Sequence, residues 1–319
     1  MQYTVLENGL DFILSAIKNL SIANEASTDE VAKKRLIKYS LLHLSSGIEL
    51  VFKYRLLQEN WTYVFADMNK ARKKALQTGE LKSVDSETII ERLENLCDIN
   101  LSDSDKLDLK NLRKRRNKAE HFEVNEHILS VESSIHKSIS ILMKFIAEHY
   151  DIEELGEEEL QLFTEIKDAM RGLTKHYDDA KLLAQKELEQ SGASAVICPE
   201  CKEEFLVIDD NDVKCYFCGY DESGETAADD YINNVLGIDA YSTIKDGGKY
   251  PLYTCPECGD ESLVYDYENG IAICFCCGHK CGTDELSFCN YCGTVFYETV
   301  DEGMGICSNC ISYKINKDE

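Results

Sequence analysis

The chain has 319 residues, of which 34 are Lys or Arg and 59 are Asp or Glu, giving a formal net charge of −25. A protein that coats DNA or RNA needs a positive surface to displace counterions, so this charge excludes the chain as a whole from that class. No apolar run is long enough to span a bilayer. Because Glu7, Asp11 and Lys18 interrupt the N-terminal apolar stretch, no signal peptide is expected, and we predict a cytoplasmic protein.

Composition divides the chain into two parts that meet near residues 192–197. Residues 1–192 carry 27 basic and 34 acidic residues, a net charge of −7, whereas residues 193–319 carry 7 and 25, a net charge of −18. No proline precedes Pro199, and fourteen of the 15 cysteines lie from Cys198 onward. The predicted fold class is mainly α, a helical bundle followed by small zinc-stabilised β-ribbon modules. We predict the bundle at 1–150, a helical arm at 151–192, zinc ribbons at 195–222, 252–283 and 287–312, and an acidic connector with a short helix at 223–251.

Apolar residues recur at helical spacing through the first part. The pattern predicts bundle helices at about 3–24, 29–60, 86–98, 102–120 and 124–149, followed by an acidic helical pattern at 153–191 that is either extended or antiparallel. Ser27 or Thr28 is the expected N-cap of the second helix. Amphipathic helices of this kind bury their apolar faces by packing together as a bundle. On the third helix, Cys97 is expected to be a buried thiol beside Leu93 and Leu96.

The fourth predicted helix carries a basic run and a candidate catalytic pair. The guanidinium of Arg116 can hold two oxygens of one phosphate, and the imidazole of His121 can transfer a proton near neutral pH. The spacing also permits a purely structural role, because Arg116 and Glu120 can form an i,i+4 ion pair and an ideal helix separates Arg116 from His121 by about 140°. The candidate RNA contacts of the run are Arg113, Lys114, Arg115 and Lys118.

The segment Arg116-Asn117-Lys118-Ala119-Glu120-His121 resembles the R-x(4–6)-H signature of the HEPN superfamily. Residues 39–53 resemble the second helix of that fold and residues 112–122 the fourth, so the resemblance covers about residues 1–150. It implies that Arg116 and His121 are catalytic, that Asn117 is accessory and that an inward-pointing Glu49 belongs to the site. Members are commonly metal-independent endoribonucleases, often toxins or antiviral defence effectors, and often dimers whose two motifs face one cleft. Others have lost activity and only bind RNA or nucleotides.

The cysteines of the second part occur as six C-x-x-C pairs, which resemble zinc-ribbon knuckles. Each pair can place two thiolates on one metal, and two pairs at the ends of hairpins complete a tetrahedral site. A glycine follows four of the pairs and allows the backbone to turn toward the sulfur atoms. The sequence predicts three structural zinc ions held by Cys198, Cys201, Cys215, Cys218, Cys255, Cys258, Cys274, Cys277, Cys289, Cys292, Cys307 and Cys310.

The second part leaves several alternatives open. The last four C-x-x-C pairs can bind metal consecutively or in a cross-braced order, and their uninterrupted spacing favours the simpler, consecutive order. Cys276 can in principle replace Cys277 as a ligand, but the C-x-x-C register favours Cys277. His279 and Cys281 are left over. In the connector, Ala227–Leu236 is expected to be helical and Tyr241–Ile244 to be a strand. The tyrosines of this part are expected to serve the ribbon core more than to stack on bases.

These expectations lead to two functional hypotheses. In the first, the chain is a dimeric HEPN-type endoribonuclease that acts on RNA through the ribose 2′-hydroxyl and carries an acidic zinc-ribbon sensor. In the second, a non-catalytic HEPN-like dimer presents its zinc ribbons to a protein partner. The Arg116–His121 pair favours the first hypothesis, and the acidity of the chain favours the second.

Overall fold

The computed structural model describes residues 3–25, 27–297 and 305–315. The chain divides into two compact units, Met1–Ala180 and Lys181–Glu319. The first unit is helical and the second contains small antiparallel sheets, which confirms the predicted fold class. Within the described ranges, no helix has both the length and the apolar character that crossing a membrane requires.

The helices of the first unit follow the predicted pattern closely. They are α1 (Val5–Ala23), α2 (Glu30–Glu59), the short α3 (Lys73–Thr78), α4 (Ser86–Cys97), α5 (Asp103–His121), α6 (Ile128–His149) and α7 (Glu157–Ser191). The predicted helical arm is one continuous helix, α7, and the boundary between the two units falls within it. Short 3-10 turns occur at Trp61–Val64, Met68–Lys70 and Ile152–Glu154.

Helix α2 is the centre of the bundle and packs against α1, α4, α5 and α6. Its contact with α1 requires glycine, because a Cβ added at Gly47 would lie 2.6 Å from Ile13 Cγ1 and 2.9 Å from the carbonyl oxygen of Gly9. Such a close approach of two helix backbones leaves no space for a side chain. The apolar face of α2 is buried along its length by Ile37, Leu41, Leu44, Ile48, Val51, Phe52 and Leu56.

The irregular segment between α2 and α4 is held in place by a buried arginine. The guanidinium of Arg92 donates hydrogen bonds to the carbonyl oxygens of Tyr63 and Phe65, at 2.5 and 2.6 Å, and to that of Ala66 at 3.2 Å. These carbonyls have no helical partner, so the arginine supplies the donors that regular secondary structure supplies elsewhere.

Two local expectations for the helices were wrong. The N-cap of α2 is Asp29, whose carboxylate accepts a hydrogen bond from the backbone N–H of Ala32 at 2.9 Å, and not Ser27 or Thr28. At the end of α4, Leu96 is exposed, and Cys97 is only half-buried against the core. Because Leu96 faces solvent at the end of α4, it does not complete the burial of Cys97.

Where the structure describes it, the second unit contains ten short strands in three antiparallel sheets. Strands β1 (Ala195–Val196), β2 (Leu206–Asp209), β3 (Asp212–Cys215) and β4 (Asp221–Ser223) form the first sheet in that order. Strands β5 (Leu252–Thr254), β6 (Glu261–Asp266), β7 (Ile271–Cys274) and β8 (Lys280–Gly282) form the second. Strands β9 (Leu286–Phe288) and β10 (Val295–Tyr297) form a hairpin, and α10 (Ser308–Ile315) follows.

The segment at 223–251 contributes a helix to the core of this unit. Helix α8 (Gly224–Asn234) packs against β3, β4 and β6, and its residues Ala227, Ala228, Tyr231 and Ile232 are buried. The predicted strand at Tyr241–Ile244 was wrong. This stretch belongs to helix α9 (Ala240–Lys245), because the Asp239 side chain caps the backbone N–H of Ser242 at 2.8 Å and starts a helix where the residues alone favoured a strand.

Candidate functional site

The twelve paired cysteines form three separate clusters of four. Within each cluster, the four sulfur atoms lie within 4.8 Å of one another. The clusters are Cys198, Cys201, Cys215 and Cys218; Cys255, Cys258, Cys274 and Cys277; and Cys289, Cys292, Cys307 and Cys310. The grouping is therefore consecutive and not cross-braced, which resolves the alternative that the sequence left open.

The distances between sulfur atoms match a tetrahedral metal site. The Sγ atoms are 3.8 Å apart in Cys198–Cys218 and Cys201–Cys215, and 3.6 Å apart in Cys258–Cys274. A tetrahedral ion with metal–sulfur bonds of about 2.3 Å places its ligands about 3.8 Å from each other. A disulfide would need sulfur atoms about 2.0 Å apart, so these cysteines are not bridged.

Five of the six C-x-x-C pairs share one backbone geometry. In the second cluster, the N–H of Gly259 donates to the carbonyl of Cys255 at 3.0 Å, and the N–H of Cys255 donates to the carbonyl of Asp260 at 2.8 Å. The same two hydrogen bonds recur at the knuckles that begin with Cys198, Cys215, Cys274 and Cys289. The residue after the second cysteine has a positive φ in all five, and it is glycine in four of them and Lys202 in the first.

The third cluster departs from the expected pair of hairpins. Its first two ligands follow β9, but its last two lie where α10 begins, and the N–H of Ile311 donates to the carbonyl of Cys307 at 3.0 Å. The ligand Cys307 also donates its backbone N–H to the Cys289 sulfur at 3.3 Å. This module therefore combines a hairpin knuckle with a helix N-terminus.

The electrostatic environments of the clusters differ. In the first cluster, burial raises the pKa of the Cys198 thiol far above its ordinary range, whereas hydrogen bonds from the other three cysteines lower the pKa of Cys215. In the third cluster, the backbone N–H groups of Cys307 and Cys292 lower the pKa of Cys289 to about 5. The fold thus favours the ligating state of Cys289, which is what a metal site needs.

The cysteines left over by the pairing lie outside the clusters. The Cys276 sulfur donates to Asn211 Oδ1 at 3.1 Å, and the backbone N–H of Asn211 donates to the Cys276 carbonyl at 2.7 Å. Cys276 therefore joins the second sheet to the turn between β2 and β3. Cys281 is half-buried on β8, and the ring of His279 contacts the Tyr297 hydroxyl at 2.5 Å.

The candidate catalytic residues of the first unit meet at the exposed end of α5. Arg116 Nη1 lies 2.8 Å from Glu120 Oε2, and His121 Nε2 lies 3.7 Å from the same oxygen. The two nitrogens are therefore no more than about 6.5 Å apart, the sum of those two distances. Arg116 Nη1 also donates to Asn117 Oδ1 at 3.1 Å. Glu120 thus brings together an arginine and a histidine that an ideal helix would direct apart, a bridging role that the sequence analysis missed.

Glu49 lies in a different environment. Its carboxylate pairs with Lys53 one turn later at 2.5 Å and accepts a hydrogen bond from Ser86 Oγ at 3.4 Å. It lines a cleft of about 270 Å³ between α2, α4 and α5. Within the described residues, Glu49 makes no hydrogen bond or ion pair with Arg116, Asn117 or His121.

Much of the basic run is neutralised by ion pairs. Arg113 pairs with Glu87, and Arg115 pairs with Glu126 at 2.6 Å and donates to Ser130 Oγ at 3.1 Å. Lys118 lies 3.5 Å from the same Glu126 carboxylate. Since Arg115 and Glu126 are both largely buried, this pair ties the loop after α5 to the bundle. Lys110 and Lys114 are exposed.

Two apolar side chains follow the motif directly. Phe122 is 77% exposed and Val124 is 47% exposed. A second basic group lies on α2 and, together with the end of α5, lines a groove. The segment Lys33-Lys34-Arg35-Leu36-Ile37-Lys38 could have indicated this group in the sequence.

Comparisons of the chain with family models, with proteins of established function and with solved structures found no match.

Proposed function

We propose that the chain is a metal-independent endoribonuclease of HEPN type that cleaves RNA at the end of α5. The observation that supports this proposal best is the cluster of Arg116, Asn117 and His121 around Glu120 on an exposed helical turn. A cation that can grip a phosphate and an imidazole that can move a proton lie no more than about 6.5 Å apart, the sum of their distances of 2.8 and 3.7 Å to Glu120, so both can reach one phosphate. The resemblance of residues 112–122 to the HEPN signature supports the same reaction.

The mechanism uses the free edge of Arg116. Within the described residues, the contacts of its guanidinium all use Nη1, so Nη2 and Nε can hold the non-bridging oxygens of a phosphate. One His121 takes the proton of the ribose 2′-hydroxyl, whose oxygen attacks the phosphorus. The 5′-oxygen leaves with a proton donated by the partner's His121. The products are a 2′,3′-cyclic phosphate and a 5′-hydroxyl. Arg116 stabilises the negative charge that develops on the phosphate oxygens in the transition state.

A homodimer completes this mechanism, because in-line transfer needs a base on one side of the phosphate and an acid on the other. Each chain supplies one histidine in the motif, and a two-fold axis beside α5 would supply the second. The exposed Phe122 and Val124 give that end of the helix the apolar surface that a subunit contact covers. The motifs would then face each other across one cleft open to single-stranded RNA.

The test compares cleavage of single-stranded RNA by the wild-type protein and by Arg116→Ala and His121→Ala. We expect each variant to lose about 10²- to 10⁴-fold in rate. The matched controls are Arg171→Ala, which removes an exposed arginine on α7, and His127→Ala, which removes an exposed histidine at the N-cap of α6 whose side chain makes no capping hydrogen bond. Both should cleave as the wild type does. The assay contains EDTA, which tests whether cleavage needs a metal. The metal content of the protein is measured after the assay, so that a loss of activity can be told apart from unfolding caused by loss of metal.

Mixed dimers sharpen the test. A dimer with one wild-type chain and one His121→Ala chain should have much less than half the wild-type activity, because both histidines serve one phosphate. A stable monomer with undiminished activity would contradict the mechanism.

We propose that the metal in each cysteine cluster is zinc. Four thiolates in tetrahedral geometry suit zinc, and iron is the other metal that this ligand set accepts. Elemental analysis of protein purified without added metal should give about three zinc ions per chain. An iron content of similar size, with the colour of an iron–thiolate site, would replace this assignment.

A second function is favoured by the ion pairs of the basic run. Because Arg113, Arg115, Arg116 and Lys118 all contact carboxylates, little of that run is free to bind RNA. A non-catalytic dimer that presents the acidic metal-binding unit to a basic protein partner is consistent with this pairing and with the net charge of −25. Absence of cleavage by the wild-type dimer over a broad set of RNAs would favour this function over the ribonuclease.

A further inference from the structure

A groove of about 450 Å³ lies between the N-terminal half of α2 and the C-terminal end of α5. Its floor includes Ile37, Leu41 and Val131, which belong to the buried core. Pockets that hold small organic ligands have volumes of about 300–1,000 Å³ and combine an apolar lining with a few polar groups. The charged residues that line this groove are Lys34, Arg35, Lys38, Arg115 and Glu126.

The cations that α2 contributes are exposed and weakly engaged. Lys34 pairs with exposed Glu30 at 2.6 Å, and the Lys38 ammonium lies 5.2 Å from the centre of the neighbouring Tyr39 ring. Within the described residues, Arg35 makes no ion pair or hydrogen bond through its side chain. Lys34 and Lys38 are one helical turn apart, where like charges repel each other. An anion in the groove would remove that repulsion.

The charge of the groove contrasts with that of the chain. Arg115 is already paired with Glu126, so the net positive charge of the lining comes from the three α2 residues. In a chain with a net charge of −25, this group creates a local field that attracts a polyanion.

The groove adjoins the candidate catalytic motif. Its α5 wall is formed by Arg115 and Ala119, which directly precede Arg116 and Glu120 in the sequence. Because consecutive residues of a helix are about 100° apart, the groove and the motif occupy neighbouring faces of the same two turns. A strand of RNA whose phosphate is held by Arg116 would therefore have its adjacent nucleotide beside the groove.

We infer that this groove binds a nucleotide of single-stranded RNA next to the phosphate held by Arg116, an inference that rests on the proposed function. The phosphate of that nucleotide contacts Arg35 and Lys38, and its base lies against the apolar floor. The groove thereby supplies positive charge that the paired residues of α5 do not.

The experiment measures binding separately from cleavage. In a His121→Ala background, which leaves α2 unchanged, the fluorescence anisotropy of a short labelled single-stranded RNA gives the dissociation constant at several salt concentrations. We expect the added substitutions Arg35→Ala and Lys38→Ala to weaken binding at least tenfold. They should also reduce the slope of log affinity against log salt by about one to two, since two phosphate contacts are lost.

The matched control is Arg171→Ala in the same background, which removes an exposed arginine of α7 that does not line the groove and should leave both quantities unchanged. Circular dichroism verifies that the variants are folded, as expected for exposed side chains.

The possible outcomes separate this inference from the proposed function. If the wild type cleaves RNA but the α2 substitutions leave binding unchanged, the groove inference is wrong and the ribonuclease stands. If the wild type neither cleaves nor binds RNA, both are wrong. If the α2 substitutions dissociate the dimer without changing affinity, the groove is a contact between two copies of the chain. If free AMP binds as tightly as the RNA and in competition with it, the groove is a mononucleotide site, and its assignment to RNA is overturned.

Discussion

The two units of the chain are held together by different interactions. In the helical unit, one continuous cluster of buried apolar side chains joins α1, α2, α4, α5, α6 and the start of α7. In the second unit, the clusters are built around the cysteines themselves, and one consists of Cys289, Cys307 and Cys310. The first unit therefore folds by burying hydrocarbon, whereas the second is expected to depend on metal ions that its cysteines bind.

The largest effect that would test this comparison is metal removal. Chelation should unfold the cysteine unit and leave α1–α6 folded, because structural zinc contributes about 10–16 kcal/mol to the folding of small modules of this type. Circular dichroism should show most of the helical signal retained, and limited proteolysis should leave a fragment close to residues 1–180. Cooperative loss of all helicity on chelation would contradict the independence of the two units.

The next largest changes in stability are expected from alanine substitutions at three glycines whose surroundings differ. A Cβ at Gly224 would lie 2.5 Å from the Phe275 carbonyl oxygen and 2.8 Å from the Cys276 sulfur, so Gly224→Ala should destabilise the second unit by about 1–3 kcal/mol. Gly259 has φ +85° and open space around it, so Gly259→Ala should cost only the backbone strain, about 1–2 kcal/mol.

In the helical unit, replacing Gly172 by alanine should raise stability instead of lowering it. It lies inside α7 with nothing within 4 Å of an added Cβ, so Gly172→Ala should stabilise the helix by about 0.5–1 kcal/mol. Thermal unfolding followed by circular dichroism ranks the three variants by their stability. If Gly172→Ala were destabilising, an added methyl group at this exposed position would have to meet a neighbour, and the open space beside Gly172 would be contradicted.

The same contrast explains what could be predicted from the sequence. The helices were predictable because their apolar residues recur with the helical period, and the cysteine clusters were predictable because six C-x-x-C pairs at similar spacing are typical of metal sites. The uninterrupted spacing of the pairs favoured consecutive grouping of the last two clusters, but it did not exclude a cross-braced order, because the grouping also depends on how β9, β10 and α10 pack after the second sheet.

The candidate site was predictable only in part. The pairing of Arg116 with Glu120 follows from their spacing, but the approach of His121 to the same carboxylate does not, because it depends on side-chain conformation at the C-terminal end of α5. The groove beside it was missed because it joins residues 34–41 to residues 115–131, and no local pattern predicts which faces of two helices meet. The strand expected at 241–244 failed because one capping aspartate outweighed the propensity of four residues.

The smallest effect concerns the thiols that lie outside the metal clusters. The Cys276 sulfur donates to Asn211 Oδ1 at 3.1 Å, a bond that a serine hydroxyl can also make. Cys276→Ser should therefore change the free energy of unfolding by less than about 1 kcal/mol and leave the metal content unchanged. The matched control is its neighbour, Cys277→Ser, which should lose one metal ion per chain because Cys277 completes the second cluster.

Cys97 is the thiol of the helical unit that, like Cys276, lies outside the metal clusters. Burial raises the pKa of Cys97, so it remains protonated at neutral pH, and Cys97→Ser should have an equally small effect on stability and none on metal content. Elemental analysis and thermal unfolding of the three serine variants make the comparison. If Cys276→Ser lost a metal ion and Cys277→Ser kept all of them, the ligand register of the second cluster would be wrong by one residue, and the hydrogen bond between Cys276 and Asn211 could not exist in the metal-bound protein.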